Sequence, residues 1–358
     1  MALAAAITGL GTAQAQSTYP DVKLSGRLQE QFYWFDHGDY PALGPESNIF
    51  TRRARIEARG HIAENVTFYI QPSFEGGRTI SGSRGGVRLR DAWIDVRLGR
   101  PDGKGAFYLR AGQEKRPFSR YELTSSTNLV SIERGAGAGL LATASNDLFA
   151  ANGFLSHDVG ASARYEYRIN DAQLVTAKLG VYNGQGESLN DANNRKSFGA
   201  RVTAAITPKL DVGGSWFSHD GIVTVGGVPD SSFTNDAWGV DAQFGRPGDE
   251  GLYLLGEYLR GTAATDRKPT IQGIQGLAAY HYRLTGAGAW LYAVEPALRI
   301  DVADPDTGAP DDRSTLMSAV LGLYLSSKAQ FRVAYERQSF QGGAPSIAGV
   351  RTALTVNF

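Results

Sequence analysis

Apolar and polar residues alternate with a period of two along most of the chain, in segments of about ten residues. The final segment shows two faces, the apolar one carrying Val350, Leu354, Val356 and Phe358 and the polar one carrying Arg351, Thr355 and Asn357. Successive side chains of a β-strand point to opposite sides, so this period predicts strands with one apolar and one polar face.

Turn residues divide this pattern into about sixteen strands. Short connections rich in Gly, Asn, Asp or Pro, such as 63–65 and 207–209, alternate with longer polar ones, such as 36–47, 184–196 and 220–235. An even number of antiparallel strands, with short turns at one end and longer loops at the other, is typical of bacterial outer-membrane barrels. We therefore predict an all-β fold, a transmembrane antiparallel β-barrel of about 16 strands around a water-filled channel.

One connection, residues 116–158, is too long for a hairpin turn, and loops of this length usually have a function of their own. An extra hairpin between Gly139–Thr143 and Leu148–Leu155 would raise the number of strands to 18. Residues Gly135–Gly139 are too rich in glycine to hold a strand well. We prefer 16 strands with one long loop and keep 18 as the alternative.

Residues 1–15 are rich in alanine and end in Ala13-Gln14-Ala15, an A-x-A cleavage pattern. This indicates a signal peptide, which we expect to be truncated at its start because no basic residue precedes the apolar stretch. A disordered Ala/Gly tail is the alternative. Residues 16–358 would then form one barrel domain in the bacterial outer membrane, with residues 116–158 as its constriction loop.

Composition narrows the chemistry. The chain has no cysteine, which excludes disulfides and thiolate chemistry. Its 36 basic and 36 acidic residues argue against a nucleic-acid partner bound through bulk positive charge. Neither a Walker loop nor zinc-ligand spacing is present, so we expect no cofactor and no metal.

Charged residues on the strands share the polar face. On the second strand they recur at every other position, as Arg53, Arg55, Glu57 and Arg59. An arginine at the bilayer midplane costs about 2–4 kcal/mol on the lipid face, so this face should line the lumen.

The same alternation places Arg27 and Arg110 in the lumen, whereas Arg88 and Arg90 would face outward above the membrane. Basic residues concentrate on the first six strands, which predicts a positive stripe that favours small anionic solutes. The alternative is a network of Arg and Glu side chains that only stiffens the wall.

The start of the long loop has the most distinctive sequence. Gly112-Gln113-Glu114-Lys115-Arg116-Pro117-Phe118 is followed by Glu122-Leu123-Thr124-Ser125-Ser126 and then by Glu133-Arg134. These motifs resemble those of the phosphate-selective porins O and P, in which G-Q-x-K-x-P-F precedes E-L-T-S-S and E-R. Residues 89–95, residues 180–184 and the terminal Phe358 extend the resemblance over most of the chain.

The resemblance implies a homotrimeric outer-membrane channel whose third loop folds into the pore. It also implies that Lys115, Arg116, Arg120 and Arg134 lie at or near the constriction and meet anions there. Only 8 of the 36 basic residues are lysines, which favours anions or small solutes in general over phosphate strictly. Membrane lipid and lipopolysaccharide would surround such a barrel, and the assembly machinery would recognise Phe358.

Other functions stay open at this point. A general, non-selective porin would not need the positive stripe, and a surface-binding barrel would use its loops. A barrel hydrolase would need a catalytic constellation at the rim, and none of the five histidines lies in a recognisable motif, so no enzyme is expected. Aromatic residues such as Trp34, Trp216 and Trp238 fit an interfacial girdle better than a lumenal ladder for sugars.

Overall fold

The computed structural model describes residues 19–74, 87–99, 103–170, 173–189, 191, 193–225, 228–284 and 290–358. The expected signal peptide, residues 1–15, lies outside the described residues. In the part of the chain that is described, no helix is long and apolar enough to cross a membrane.

Sixteen antiparallel strands form one closed barrel, in which β1 pairs with β16, as predicted. The first eight strands are β1 Asp21–Phe35, β2 Ser47–Ala63, β3 Val66–Ser73, β4 Arg88–Leu98, β5 Gly105–Lys115, β6 His157–Asn170, β7 Gln173–Tyr182 and β8 Ser197–Ala205. The other eight are β9 Leu210–Val225, β10 Val228–Phe244, β11 Gly251–Thr262, β12 Thr270–Arg283, β13 Ala293–Asp304, β14 Ser314–Tyr324, β15 Ala329–Phe340 and β16 Ile347–Asn357.

The two faces of the strands differ as the alternation predicts. On β16, Leu354 is 44% exposed on the outside, whereas Arg351 is fully buried in the lumen. Trp34, Trp216 and Trp238 also point outward. The alternation therefore reflects an apolar environment outside the barrel and a polar one inside it.

Two sequence-based expectations about connections are corrected. The connection predicted over 220–235 is largely strand, since β9 continues to Val225 and β10 begins at Val228. The β-branched run from Ile222 to Val225 favours a strand there despite the preceding Asp220-Gly221. The long loop carries two short helices, α1 Arg120–Leu123 and α2 Ser145–Ala151. Helix α2 takes the place of much of the second strand of the 18-strand alternative.

Two β-bulges change which side chains face the lumen. Gln29 lies opposite Arg53 and Glu30 opposite Thr51, so Arg52 is an extra residue in β2. Arg52 and Arg53 both reach the long loop inside the barrel. A second irregularity, between β3 and β4, pairs Ile70 with Ala92 but Pro72 with Leu89. A bulge inserts a residue and re-aims side chains.

The second bulge corrects the prediction for Arg90. Its guanidinium contacts Glu187 and lines the lumenal space instead of facing outward above the membrane.

The long third loop, residues 116–156, folds into the barrel and packs on one side of it. Its apolar residues Tyr121, Leu129, Val130 and Ile132 form a buried cluster with lumenal residues of β11–β16. Near its base, Phe118, Phe149 and Phe154 pack against Tyr182 and Phe217. The loop therefore packs mainly on the β9–β16 side of the barrel and leaves a gap on the side of β1–β7.

The seam of the barrel depends on a close approach at Gly26. Its N–H donates to the Phe358 carbonyl oxygen at 2.9 Å, and a Cβ there would lie 2.7 Å from the Arg55 carbonyl oxygen and closer still to the Phe358 ring. Overpacking of this kind typically costs about 1–3 kcal/mol. We therefore expect Gly26→Val to lower the yield of folded barrel severalfold, measured by the mobility of unboiled protein on detergent gels.

Gly256→Val is the matched control, because nothing lies within 4 Å of a Cβ at that strand position. Equal yields for the two variants would contradict the role of the Gly26 contact.

Candidate functional site

An opening of about 340 Å³ remains between the tip of the third loop and the wall formed by β1–β7. We call this space the eyelet. Among the described residues that line it, seven are basic and three are acidic: Arg27, Arg55, Arg90, Arg110, Lys115, Arg134 and Lys178 against Glu57, Asp91 and Glu114. The eyelet is therefore a narrow, wet space with an excess of positive charge.

Two arginines meet the loop tip directly. Arg27 and Arg55 are cross-strand partners on β1 and β2. The Ser126 hydroxyl accepts from Arg27 Nη1 at 2.6 Å and from Arg55 Nη1 at 3.4 Å. The Arg27 Nη2 group has no hydrogen-bond partner. Two guanidinium groups held side by side repel each other, and an anion between them would lower that repulsion.

The carboxylates of β4 and β5 are engaged with other basic residues. Glu114 accepts from Lys178 at 2.7 Å and from Arg110 at 3.0 Å. Asp95 lies 2.7 Å from Arg110 and 3.4 Å from Arg164. These pairs stiffen one part of the wall, so much of its charge is balanced locally.

Lys115 and Arg134 share one loop carboxylate, Glu122. Their nitrogen atoms lie 3.4 Å and 3.6 Å from it, and Asn146 donates to it at 3.2 Å. Burial alone would raise the pKa of Glu122, but the charges of Lys115 and Arg134 lower it to about 2.

A second loop carboxylate, Glu133, ties the loop to β1 and β2. It accepts from Arg52 at 2.7 Å and from Gln31 at 2.7 Å, and it lies 3.4 Å from Arg53. Although burial opposes ionisation, the charges of Arg52 and Arg53 hold the pKa of Glu133 well below its usual range. From the other wall, Arg299 donates to the Glu133 carbonyl oxygen at 2.9 Å.

These lowered pKa values predict how the pore responds to acid. A depressed carboxyl pKa stabilises the folded loop above the unfolded value of about 4.5, and this stabilisation is lost as the pH falls toward 2. We expect constant single-channel conductance from about pH 8 to pH 5, then larger and more variable openings below about pH 4 as the loop detaches.

Planar-bilayer recordings across this pH range test the expectation. Glu133→Gln should show the variable openings already at neutral pH, because Arg52 and Arg53 lose their counter-charge. Unchanged openings at pH 3, in the wild type and in this variant, would argue against carboxylate anchoring of the loop.

The structure brings five of the nine sequence-predicted residues to the eyelet, namely Arg27, Arg55, Arg110, Lys115 and Arg134. The other four lie elsewhere. Arg53 is buried against Gln29 and Glu133 behind the loop, and Arg59 is exposed near the end of β2.

Arg116 and Arg120 also lie away from the constriction, where the resemblance predicts them. Arg116 is buried and closes the base of the loop, with Nη2 2.8 Å from Asp158. Arg120 pairs with Asp241 on β10, on the far side of the loop from the eyelet. Both contacts are with barrel carboxylates, which a motif at the start of a loop does not reveal.

Sequence reasoning missed Arg52 and Arg90, which reach the lumen through the two bulges. A signal was present in both cases. Arg52-Arg53 and Arg90-Asp91 place two charged residues side by side in an otherwise alternating strand. A doublet of this kind fits a strand in which one extra residue is inserted.

In the part of the chain that the structure describes, no group of three His, Asp or Glu side chains is arranged to hold a metal ion. The chemistry available in the eyelet is therefore that of guanidinium, ammonium, hydroxyl and carboxylate groups.

Comparisons with known proteins agree with the fold. The family model for phosphate-selective porin O and P matches residues 22–226. No curated protein matches the chain significantly.

Several solved structures share the fold at low sequence identity. An anion-selective porin from Comamonas acidovorans has a TM-score of 0.63 at 12% identity and covers 95% of this chain and 100% of its own. Salmonella typhi OmpF, in complex with daunomycin, has a TM-score of 0.61 at 13% identity, covering 94% and 97%. The trimer form of OmpT from Vibrio cholerae has a TM-score of 0.58 at 13% identity, covering 95% and 99%.

Proposed function

Because the chain belongs to the phosphate-selective porin O and P family, and is a channel of the bacterial outer membrane and not an enzyme, we propose that it passes small solutes passively with a preference for anions. Phosphate and other oxyanions are the expected substrates. The residues proposed to meet them are Arg27, Arg55, Arg110, Lys115 and Arg134.

One observation carries this proposal, the seven basic side chains against three carboxylates around the eyelet. A unit charge pair about 4 Å apart is worth about 1 kcal/mol in bulk water and about 4 kcal/mol at an effective dielectric constant near 20. A wet, narrow pore lies between these limits. Several sites of this strength in series favour anions without trapping them, as conduction requires.

Arginine suits an oxyanion because its planar fork donates two parallel hydrogen bonds. Arg27 and Arg55 offer such forks beside the Ser126 hydroxyl, and Arg27 has a free donor there. This arrangement fits phosphate, sulfate and carboxylates equally well, so we propose oxyanion passage in general.

Arg53, Arg59, Arg116 and Arg120 have other proposed roles. Arg53 and Arg116 hold the loop, Arg120 fixes it to β10, and Arg59 contributes to the potential at the mouth of the pore.

We also propose a homotrimer that lies in lipid and lipopolysaccharide and reaches the membrane through the assembly machinery, with Phe358 as the recognition residue. The similarity to a porin solved in a trimer form supports the trimer. The exposure of Phe358, 62%, supports its availability to a partner during assembly.

Reversal potentials in planar bilayers test the central proposal. With a tenfold KCl gradient, we expect a reversal potential of the sign that chloride permeation sets. Added phosphate should lower the chloride current in a saturable way. A potential of zero would instead support the general, non-selective porin, and a cation-selective potential would refute the proposal.

A further inference from the structure

A second recess, of about 400 Å³, lies at the end of the lumen that carries the short turns, which faces the periplasm in barrels of this kind. Its lining includes His281, Glu295, Tyr324 and Gln330 on β12–β15. Thr127 of the loop tip lines both this recess and the eyelet, so the two spaces are neighbours along the pore.

The recess has one carboxylate, Glu295, against two basic groups, Arg332 and the exposed Lys328. Glu295 accepts from His281 Nδ1 at 3.0 Å and from the Tyr324 hydroxyl at 3.0 Å, and Arg332 lies 4.0 Å away. Because a carboxylate only accepts, His281 Nδ1 is the donor in this contact. The recess therefore has a smaller excess of positive charge than the eyelet.

The buried groups of this recess that lack a hydrogen-bond partner are an amide oxygen and the Nε group of Arg332. Gln330 is 5% exposed, and its Oε1 atom is buried without a hydrogen-bond partner. An amide buried in this way costs free energy unless a ligand or water satisfies it. The exposed Asn128 of the loop tip also lines the recess.

Three rings contribute to the lining of the recess. The rings of His281 and Tyr324 meet edge to face at 4.8 Å between centroids, and Tyr292 lies beside them in the same recess. A cleft of 300–1,000 Å³ that combines ring surfaces with a few convergent polar groups is typical of small-molecule sites.

We propose that this recess binds small uncharged polyhydroxylated solutes, such as polyols or monosaccharides, on their way through the pore. Hydroxyl groups both donate and accept, which matches the open acceptor of Gln330 and the open Nε donor of Arg332. Their C–H surfaces match the rings of Tyr292 and Tyr324. An anion gains less here than in the eyelet, because Glu295 offsets Arg332 and the Gln330 oxygen can only accept.

The test uses purified wild-type channel in planar bilayers, with D-glucose and D-sorbitol as probes on the turn side. We expect each probe to reduce the ion current in a saturable way. Gln330→Leu removes the amide and should raise the half-saturating concentration about tenfold, as expected for the loss of one buried hydrogen bond. Tyr292→Leu should raise it severalfold.

Gln243→Leu is the matched control, because Gln243 is a buried lumenal glutamine on β10 outside this recess. Unboiled gel mobility and conductance in salt alone check that each variant folds. A current insensitive to both probes, or equal shifts for the variants at Gln330 and Gln243, would overturn the proposal. Anion selectivity is measured by the reversal potential, and solute binding in the recess is measured by the block of current. A failure of one proposal can therefore be distinguished from a failure of the other.

Discussion

Replacing Arg27 and Arg55 together by glutamate is expected to convert an anion-preferring pore into a cation-preferring one. The change replaces two positive by two negative charges in the eyelet, where both guanidinium groups reach Ser126. At 1–4 kcal/mol per charge pair and 1.4 kcal/mol per tenfold change, we expect the ratio of chloride to potassium permeability to fall at least tenfold. Reversal potentials in a KCl gradient measure it.

Arg59→Glu is the control for this variant. Arg59 shares β2 with Arg55 and has the same parity, but it is exposed and lies outside the eyelet lining. Its substitution should change the ratio by much less, while Arg27→Gln with Arg55→Gln should give an intermediate value. If Arg59→Glu shifts selectivity as much as the double variant, the field of the whole lumen and not the eyelet sets the preference.

The second large effect concerns stability and not selectivity. Arg116 is 3% exposed, and its guanidinium bonds to Asp158 at 2.8 Å and 3.1 Å and to the carbonyl oxygen of Leu155 at 3.3 Å. Removing one partner of a buried ion pair typically costs about 3–5 kcal/mol, because the other charge stays buried without compensation. We expect Arg116→Met to lower the free energy of unfolding by about this amount, measured by urea titration in detergent.

Arg195→Met provides the comparison, since Arg195 is largely exposed and lies 3.8 Å from Asp220. Because Arg195 is solvated and Asp220 keeps hydrogen bonds from Asn193 and Thr234, the unfolding curve of this variant should match that of the wild type. Arg116→Met should also keep the reversal potential of the wild type. A shift in selectivity without a loss of stability would instead indicate that Arg116 lies at the constriction.

The alternation of polar and apolar residues predicted the barrel well, because each residue of every strand faces either the lipid or the lumen. The position of Arg27, Arg55 and Arg110 in the lumen followed from parity alone. Parity fails where a bulge inserts a residue, and for that reason Arg52 and Arg90 were missed. These failures are local, since the alternation resumes within two residues on either side.

The loop residues were harder to predict because their environment depends on distant strands. Lys115 and Arg116 are adjacent in sequence, yet one lines the eyelet and the other is buried against Asp158. Arg120 reaches Asp241 across 121 positions of sequence. A motif can place all of these residues at the start of the loop, but only the folded barrel determines which carboxylate each one meets.

Six of the seven basic side chains of the eyelet belong to β1–β7, across from the third loop, so the electrical potential differs between the two sides of the passage. A dipolar molecule travelling through it will be turned until its negative end points toward β1–β7. Solutes of equal size and zero net charge should therefore cross at different rates if their dipoles are placed differently along the molecule. The pore would then discriminate between solutes by their orientation as well as by their charge.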